Sequence, residues 1–230
     1  MLVLWDIDHT LIETRGAGGE FYRRAFEAAT GVTMRRNAEV TGQTEPSILT
    51  STLRLHDIDE DEPYLSRYKD ALAAEYGGNR DELRTRGRVL PGAREALQAL
   101  SVDPTVVQSV LTGNLRAVSE IKLHTFGLDR YVDLEVGAYG DDDTDRPSLV
   151  KIAQRRARHK YGEMFTRENT VVVGDSTHDI ATGIQGGAAT VAVASGSDEI
   201  ETLTGAGAGA VLADLTDLAR LRKVLHDIRA

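Results

Sequence analysis

Leu2-Val3-Leu4-Trp5-Asp6-Ile7-Asp8-His9-Thr10 is the stretch on which the fold turns. Leu2 to Ile7 forms an apolar run that ends in acids. Such a run suits a buried central strand of a parallel sheet, covered by helices on both faces. Two carboxylates two residues apart at a strand end can point the same way and converge on a cation. Acids beside an apolar strand are costly unless something positive binds them. For an isolated D-x-D-x-T the plainer reading, a solvated turn or a helix cap before Leu11, would prevail. Its position directly after Leu-Val-Leu-Trp shifts the balance.

Outward from this strand the texture changes. From Thr14 to about Arg86 helical stretches dominate: Glu20 to Thr30, Glu45 to Leu55 and Pro63 to Tyr76. In the first, Phe21, Ala25, Ala28 and Ala29 share one face, with Arg23, Arg24 and Glu27 on another. Gly31, Gly42 and Gly77-Gly78-Asn79 punctuate them, so the segment reads as a helical insertion. Pro91-Gly92 opens a helix through Leu100, and an α/β rhythm follows. Strands are expected at Thr105 to Leu111, Tyr131 to Val136, Thr170 to Val173, Thr190 to Ala194 and Ala210 to Leu212. Helices are expected at Leu115 to Phe126, Pro147 to Tyr161, Asp179 to Gln185 and Leu215 to Ile228. Gly205 to Gly209 reads as a flexible turn. The alternation implies an α/β fold, a doubly wound parallel sheet with an inserted α-helical segment.

In such a sheet ligands sit beyond the carboxyl ends of the strands. Three strand ends therefore matter: Asp6 with Asp8, Thr112 with Asn114, and Asp175 with Asp179. Thr112-Gly113-Asn114 joins a hydroxyl, a glycine and a helix N-terminus, the makings of an anion site, although a plain N-cap explains it as well. In Val173-Gly174-Asp175-Ser176-Thr177-His178-Asp179, a cap accounts for Asp175 or Ser176. Asp179, followed by apolar Ile180, is harder to explain that way. Arg146 and Lys151 open the basic helix, and either can balance the acids.

Composition narrows the function. The 230 residues carry a net charge of -9 with Lys and Arg scattered among acids, which disfavours a nucleic-acid or anionic-membrane surface. There is no cysteine, which excludes disulfides, thiolate zinc sites and cysteine nucleophiles. No signal-length apolar core precedes Asp6 and no long uncharged run follows, so the cytoplasm is the expected location. An acidic chain that handles anions must supply positive charge locally, from a metal, a few cations and helix N-termini.

Taken in order, these motifs resemble the haloacid dehalogenase-like (HAD) superfamily: D-x-D-x-T at one strand end, Thr112 at the next, a cation, then Gly174-Asp175-x-x-x-Asp179. Leu90-Pro91-Gly92 looks like that family's return to its core. Gly42-Gln43-Thr44 looks like the cap loop of its phosphoglycolate phosphatase-like branch. The resemblance implies a core domain of residues 1-13 and 87-230 and a helical cap of 14-86. It implies a phosphatase acting on a small-molecule phosphate ester (phosphoglycolate-like, or a sugar or nucleotide phosphate), with Asp6 as nucleophile and Asp8 as general acid and then base. Asp8 should then have a pKa raised by neighbouring carboxylates. Mg²⁺ would be held by the Asp6 carboxylate, the Asp8 backbone carbonyl and Asp175, with Asp179 orienting water or the cation. Thr112, Gly113, Asn114 and Arg146 would bind the phosphoryl oxygens. Arg146-Pro147 stands where the family usually has Lys-Pro, and His9 where Gly is common. A phosphomutase of the β-phosphoglucomutase type uses the same two acids and stays open, as does a catalytically inactive phosphate-binding protein. The dehalogenase branch is disfavoured by the presence of Asp8.

Overall fold

A computed structural model describes residues 1–60 and 62–229. Its central sheet holds five parallel strands. The first is β1 (Leu2–Trp5), fully buried as its composition requires. A two-residue ribbon pairs β2 (Ile12–Glu13) with β3 (Arg88–Val89) where the chain leaves and re-enters this layer. The remaining strands are β4 (Val107–Val110), β5 (Thr170–Gly174), β6 (Ala189–Val193) and β7 (Ala210–Leu212), and the sheet order is β4-β1-β5-β6-β7.

Side chains alternate across the sheet. Val3, Trp5, Val171 and Val173 face one apolar cluster, shared with Leu97 and Leu100 of a helix and with Leu221 and Leu225 of the last one. Leu2, Leu4 and Val172 face another, shared with Leu149, Val150 and Ala153. Both faces are therefore covered, and an apolar run with no polar alternation is what such a strand needs.

Between the two ribbon strands lie α1 (Ala17–Thr30), α2 (Glu45–Arg54), α3 (Glu62–Gly78) and α4 (Arg80–Arg86). They share an apolar cluster built on Phe21, Phe26, Leu49, Tyr68, Leu72 and Tyr76. Leu115 and Val118, from the region of the helix after β4, complete it and tie the layer to the sheet. After β3 come α5 (Ala93–Ser101), α6 (Arg116–Thr125), α7 (Arg146–Tyr161), α8 (Thr177–Gly186), α9 (Ile200–Gly205) and α10 (Leu218–Arg229). Among the described residues no helix is long and apolar enough to cross a membrane.

One local expectation fails and two shift at their boundaries. Tyr131 to Val136 is not a strand; a 3₁₀ turn at Asp129–Tyr131 leads into irregular chain. There Gln108 Nε2 donates to the Tyr131 carbonyl and the Ser109 hydroxyl to the Asp133 carbonyl, so beyond the Asp133 amide's bond to the Gln108 carbonyl, side chains of β4 meet the segment's carbonyls. The Gly77-Gly78-Asn79 break falls at the end of α3: the helix runs through Gly78, and Asn79 separates it from the unexpected α4. The glycine-rich tract does turn into an edge strand, with Ala206 to Gly209 outside regular structure before β7, while Gly205 closes the unexpected α9.

The register positions the site. Trp5 pairs with Val110 on one side and Val173 on the other. The residues that follow each of the three strands therefore emerge together at one edge of the sheet.

Candidate active site

Asp6, Asp175 and Asp179 converge at that edge, each offering a carboxylate oxygen within 4.8 Å of the others'. Asp179 is held on every side. It closes a capping box at the start of α8, accepting from the Ser176 amide at 3.1 Å and the Ser176 hydroxyl at 2.7 Å, and its Oδ1 accepts from Arg146 Nη2 at 2.6 Å. Gly174 permits this closeness, since a Cβ there would lie 2.4 Å from Asp179 Cβ and Cγ. Asp175 Oδ1 accepts from the Thr10 hydroxyl at 2.8 Å. The Asp6 carboxylate accepts no side-chain hydrogen bond among the described residues, and the Arg146 guanidinium stands 3.9 Å away.

The electrostatics follow from this crowding. Burial pushes the Asp6 carboxyl well above its usual range, the Asp179 charge adds to the rise, and Arg146 only partly offsets it. Burial and Asp179 likewise raise Asp175 to about 7. Three buried acids against one arginine leave a deficit of positive charge. A purely oxygen donor set with that deficit fits a hard divalent cation.

Asp8 departs from expectation. Its side chain turns away from the three acids to Lys122, whose Nζ lies 2.7 and 3.0 Å from its two oxygens, and to Asn114 Nδ2 at 2.7 Å. Burial alone would raise its pKa, but the Lys122 charge and the hydrogen bonds from Lys122 and Asn114 outweigh burial and hold it below the ordinary value. The sequence expectation of a raised pKa is thus reversed.

The loop after β4 also differs. Asn114, expected among the phosphate ligands, has its amide engaged by Asp8, Thr112 and Lys122. The α6 N-terminus already has its anions: the Leu115 amide donates to Glu45 Oε2 at 2.7 Å and the Arg116 amide to Asp141 Oδ1 at 3.0 Å. Thr112 keeps a free donor, because its hydroxyl accepts from the Asn114 amide and side chain and a hydroxyl carries a proton besides. Gly113 lies under the helical layer: a Cβ there would sit 2.2 Å from the Gln43 carbonyl oxygen. Between Arg146 and Lys151, the structure puts Arg146 beside the acids, with a buried Nε that has no partner among the described residues, and leaves Lys151 exposed.

These groups line a cleft of about 440 Å³ between the sheet edge and the helical layer, which contributes Tyr22, Asn37, Gln43, Ile48 and Tyr76. A hollow of about 510 Å³ lies at the other end of β4, beside Val107, Tyr131 and Tyr161, away from the acids. Gly42 and Gln43 do border the cleft. His9 also borders it, in a left-handed conformation with φ 60°, its carbonyl accepting from the Ser195 hydroxyl.

Two buried charged residues escape a reading of motifs alone. Lys122 is one full helical turn beyond buried Val118, so its place on the apolar face of α6 is the signal that exposes it. Glu45 opens α2 and is buried with a pKa raised to about 7, by burial first, with Lys122 and the Leu115 amide pulling it down. Its signal is fainter, an acid in a helix first turn, which is ordinarily a surface feature.

Comparison with known proteins gives consistent results. Residues 3–183 match the sequence model of the haloacid dehalogenase-like hydrolases. No curated protein matches. Among solved structures, a hydrolase from Pseudomonas syringae is similar at TM-score 0.69 and 22% identity, over 96% of this chain and 97% of that one. A predicted phosphoglycolate phosphatase from Haemophilus somnus 129PT gives 0.67 and 18%, over 96% and 97%. A Bacteroides vulgatus protein provisionally named β-phosphoglucomutase gives 0.64 and 17%, over 99% and 89%. At these identities the likeness is one of fold.

Proposed function

Since the chain belongs to the haloacid dehalogenase-like hydrolases, we propose that it is a Mg²⁺-dependent phosphatase of small-molecule phosphate monoesters, with Asp6 as its nucleophile. One observation carries the reading: a buried carboxylate at the end of a central strand, free of side-chain hydrogen bonds among the described residues, lines a cleft beside two further acids and the Arg146 guanidinium. Residues 14–86 act as a cap over a core of 1–13 and 87–230.

In this reading an Asp6 oxygen attacks phosphorus, the bond to the leaving oxygen breaks, and Asp8 gives that oxygen a proton. Water then attacks the aspartyl-phosphate, Asp8 takes the water's proton, and Asp6 is released as a carboxylate. Asp8, held ionised by Lys122 and Asn114, rests as the base. The negative charge of an arriving phosphate favours its proton uptake and so prepares it as the acid. Arg146 and the Thr112 hydroxyl, both lining the cleft, would hold the phosphoryl oxygens. Asp6, Asp175 and the Asp8 backbone carbonyl would hold Mg²⁺, and Asp179, already engaged by Ser176 and Arg146, keeps its neighbours oriented. The ion supplies charge neutralisation between the anionic ester and the anionic nucleophile. The helical layer excludes bulk water from the reaction.

A panel of phosphorylated metabolites tested for free phosphate with and without Mg²⁺ checks the assignment. Asp6→Asn should lower turnover by at least about a thousandfold. Wild-type rates in Asp6→Asn would refute the nucleophile, and isomerised sugar phosphate in place of free phosphate would make the enzyme a mutase.

A further inference from the structure

We propose that Lys122 is the positioning residue of the acid/base carboxylate, holding Asp8 in one orientation toward the leaving-group oxygen; this rests on the phosphatase reading above. A lysine ammonium has three protons to donate. Those of Lys122 have three acceptors within reach: Asp8 Oδ2 at 2.7 Å, Asp8 Oδ1 at 3.0 Å and Asn114 Oδ1 at 2.8 Å. No donor is left over for a substrate anion. The face of the Tyr76 ring, 5.2 Å from Nζ, closes the remaining side.

The Asn114 amide locks the arrangement. Its oxygen must face Lys122, which only donates. Its nitrogen must face Asp8 Oδ2 at 2.7 Å and the Thr112 hydroxyl at 2.8 Å. Asp8 is thereby fixed by two groups from the segment after β4, 106 and 114 residues away in sequence. Lys122 is itself only 3% exposed, so its ammonium has no rival partner in bulk water. The two cations of the cleft divide their partners: Arg146 pairs with Asp179 beside the three acids, and Lys122 pairs with Asp8.

The leaving group provides a readout that a merely structural lysine would not move. When the P–O bond of an alkyl phosphate breaks, the departing oxygen must take the Asp8 proton. A nitrophenolate leaves without one. kcat/KM reports the first step alone, before Asp8 acts as base, so it separates the two kinds of ester. In Lys122→Met, kcat/KM for β-glycerol phosphate should fall about 100-fold further than kcat/KM for p-nitrophenyl phosphate, the size of a typical general-acid contribution. Lys122→Arg, which restores a cation and donors, should recover part of that gap, and it serves as the second variant if Lys122→Met does not fold. Equal losses on both esters, or a gap that Lys122→Arg leaves untouched, would overturn the positioning role. If the wild-type enzyme with Mg²⁺ turned over neither ester and no other phosphate monoester, the phosphatase reading would fall and this role with it.

Discussion

Glu45 offers the most direct test of how the helical layer is seated. Its Oε2 accepts the Leu115 amide, its own amide donates to the Gly113 carbonyl at 2.8 Å, and its carboxyl is buried. Burial lifts its pKa from 4.5 to about 7. An acid whose folded pKa lies above its unfolded one contributes stability that is complete below the unfolded value and lost as pH rises through the folded value. The window is therefore pH 4.5 to about 7, and at about 1.4 kcal/mol per pH unit the loss comes to about 3 kcal/mol. Glu45→Gln keeps an oxygen for the Leu115 amide and removes the ionisation. Urea unfolding of both proteins from pH 4.5 to 8.5 should show the variant gaining on the wild type by about 3 kcal/mol as pH rises. Asp6 and Asp175 titrate in both proteins and cancel in the difference. Two curves that stay parallel within about 0.5 kcal/mol, the usual limit of additivity for uncoupled sites, would refute the reasoning.

Gly113→Ala places a Cβ 2.2 Å from the Gln43 carbonyl oxygen, and the neighbours it meets are backbone. The expected cost is about 1–3 kcal/mol, each worth roughly 2–4 °C of Tm at this size, with a raised KM; an unchanged Tm and KM would show that the layer does not press on this loop. A metal must displace the proton of a carboxyl raised to about 7, so Mg²⁺ affinity measured calorimetrically should be roughly tenfold weaker at pH 6 than at pH 8. Asp175→Asn should lessen that dependence, leaving the part due to Asp6, and weaken binding throughout; a wild-type affinity independent of pH would contradict the burial argument.

The sheet was open to reading because its strands carry their burial on their face. Leu2 to Trp5 and Val171 to Val173 have no polar alternation, and the only place for Asp6 and Asp175 is then the end of the strand. What stayed hidden was decided by tertiary partners. Nothing local tells Tyr131 to Val136 that the Gln108 and Ser109 side chains will take its carbonyls. The reversed pKa of Asp8 depends on a lysine 114 residues away, and Asn114 could be read as a phosphate ligand only while that lysine was out of view. Helical periodicity marks Lys122 as facing inward but does not say what it will meet. The α6 N-terminus looked like a vacant anion site in the sequence, yet the fold brings its own carboxylates, Glu45 and Asp141, to fill it.

The bond between the Glu45 amide and the Gly113 carbonyl has a mechanical outcome. Together with the tie from the Leu115 amide to the Glu45 carboxylate, it pins the start of α2 to both flanks of Asn114, so a shift of that helix carries to the peptide next to Thr112. If Thr112 holds the phosphoryl group as proposed, the seating of the helices and the grip on phosphate are one adjustable quantity.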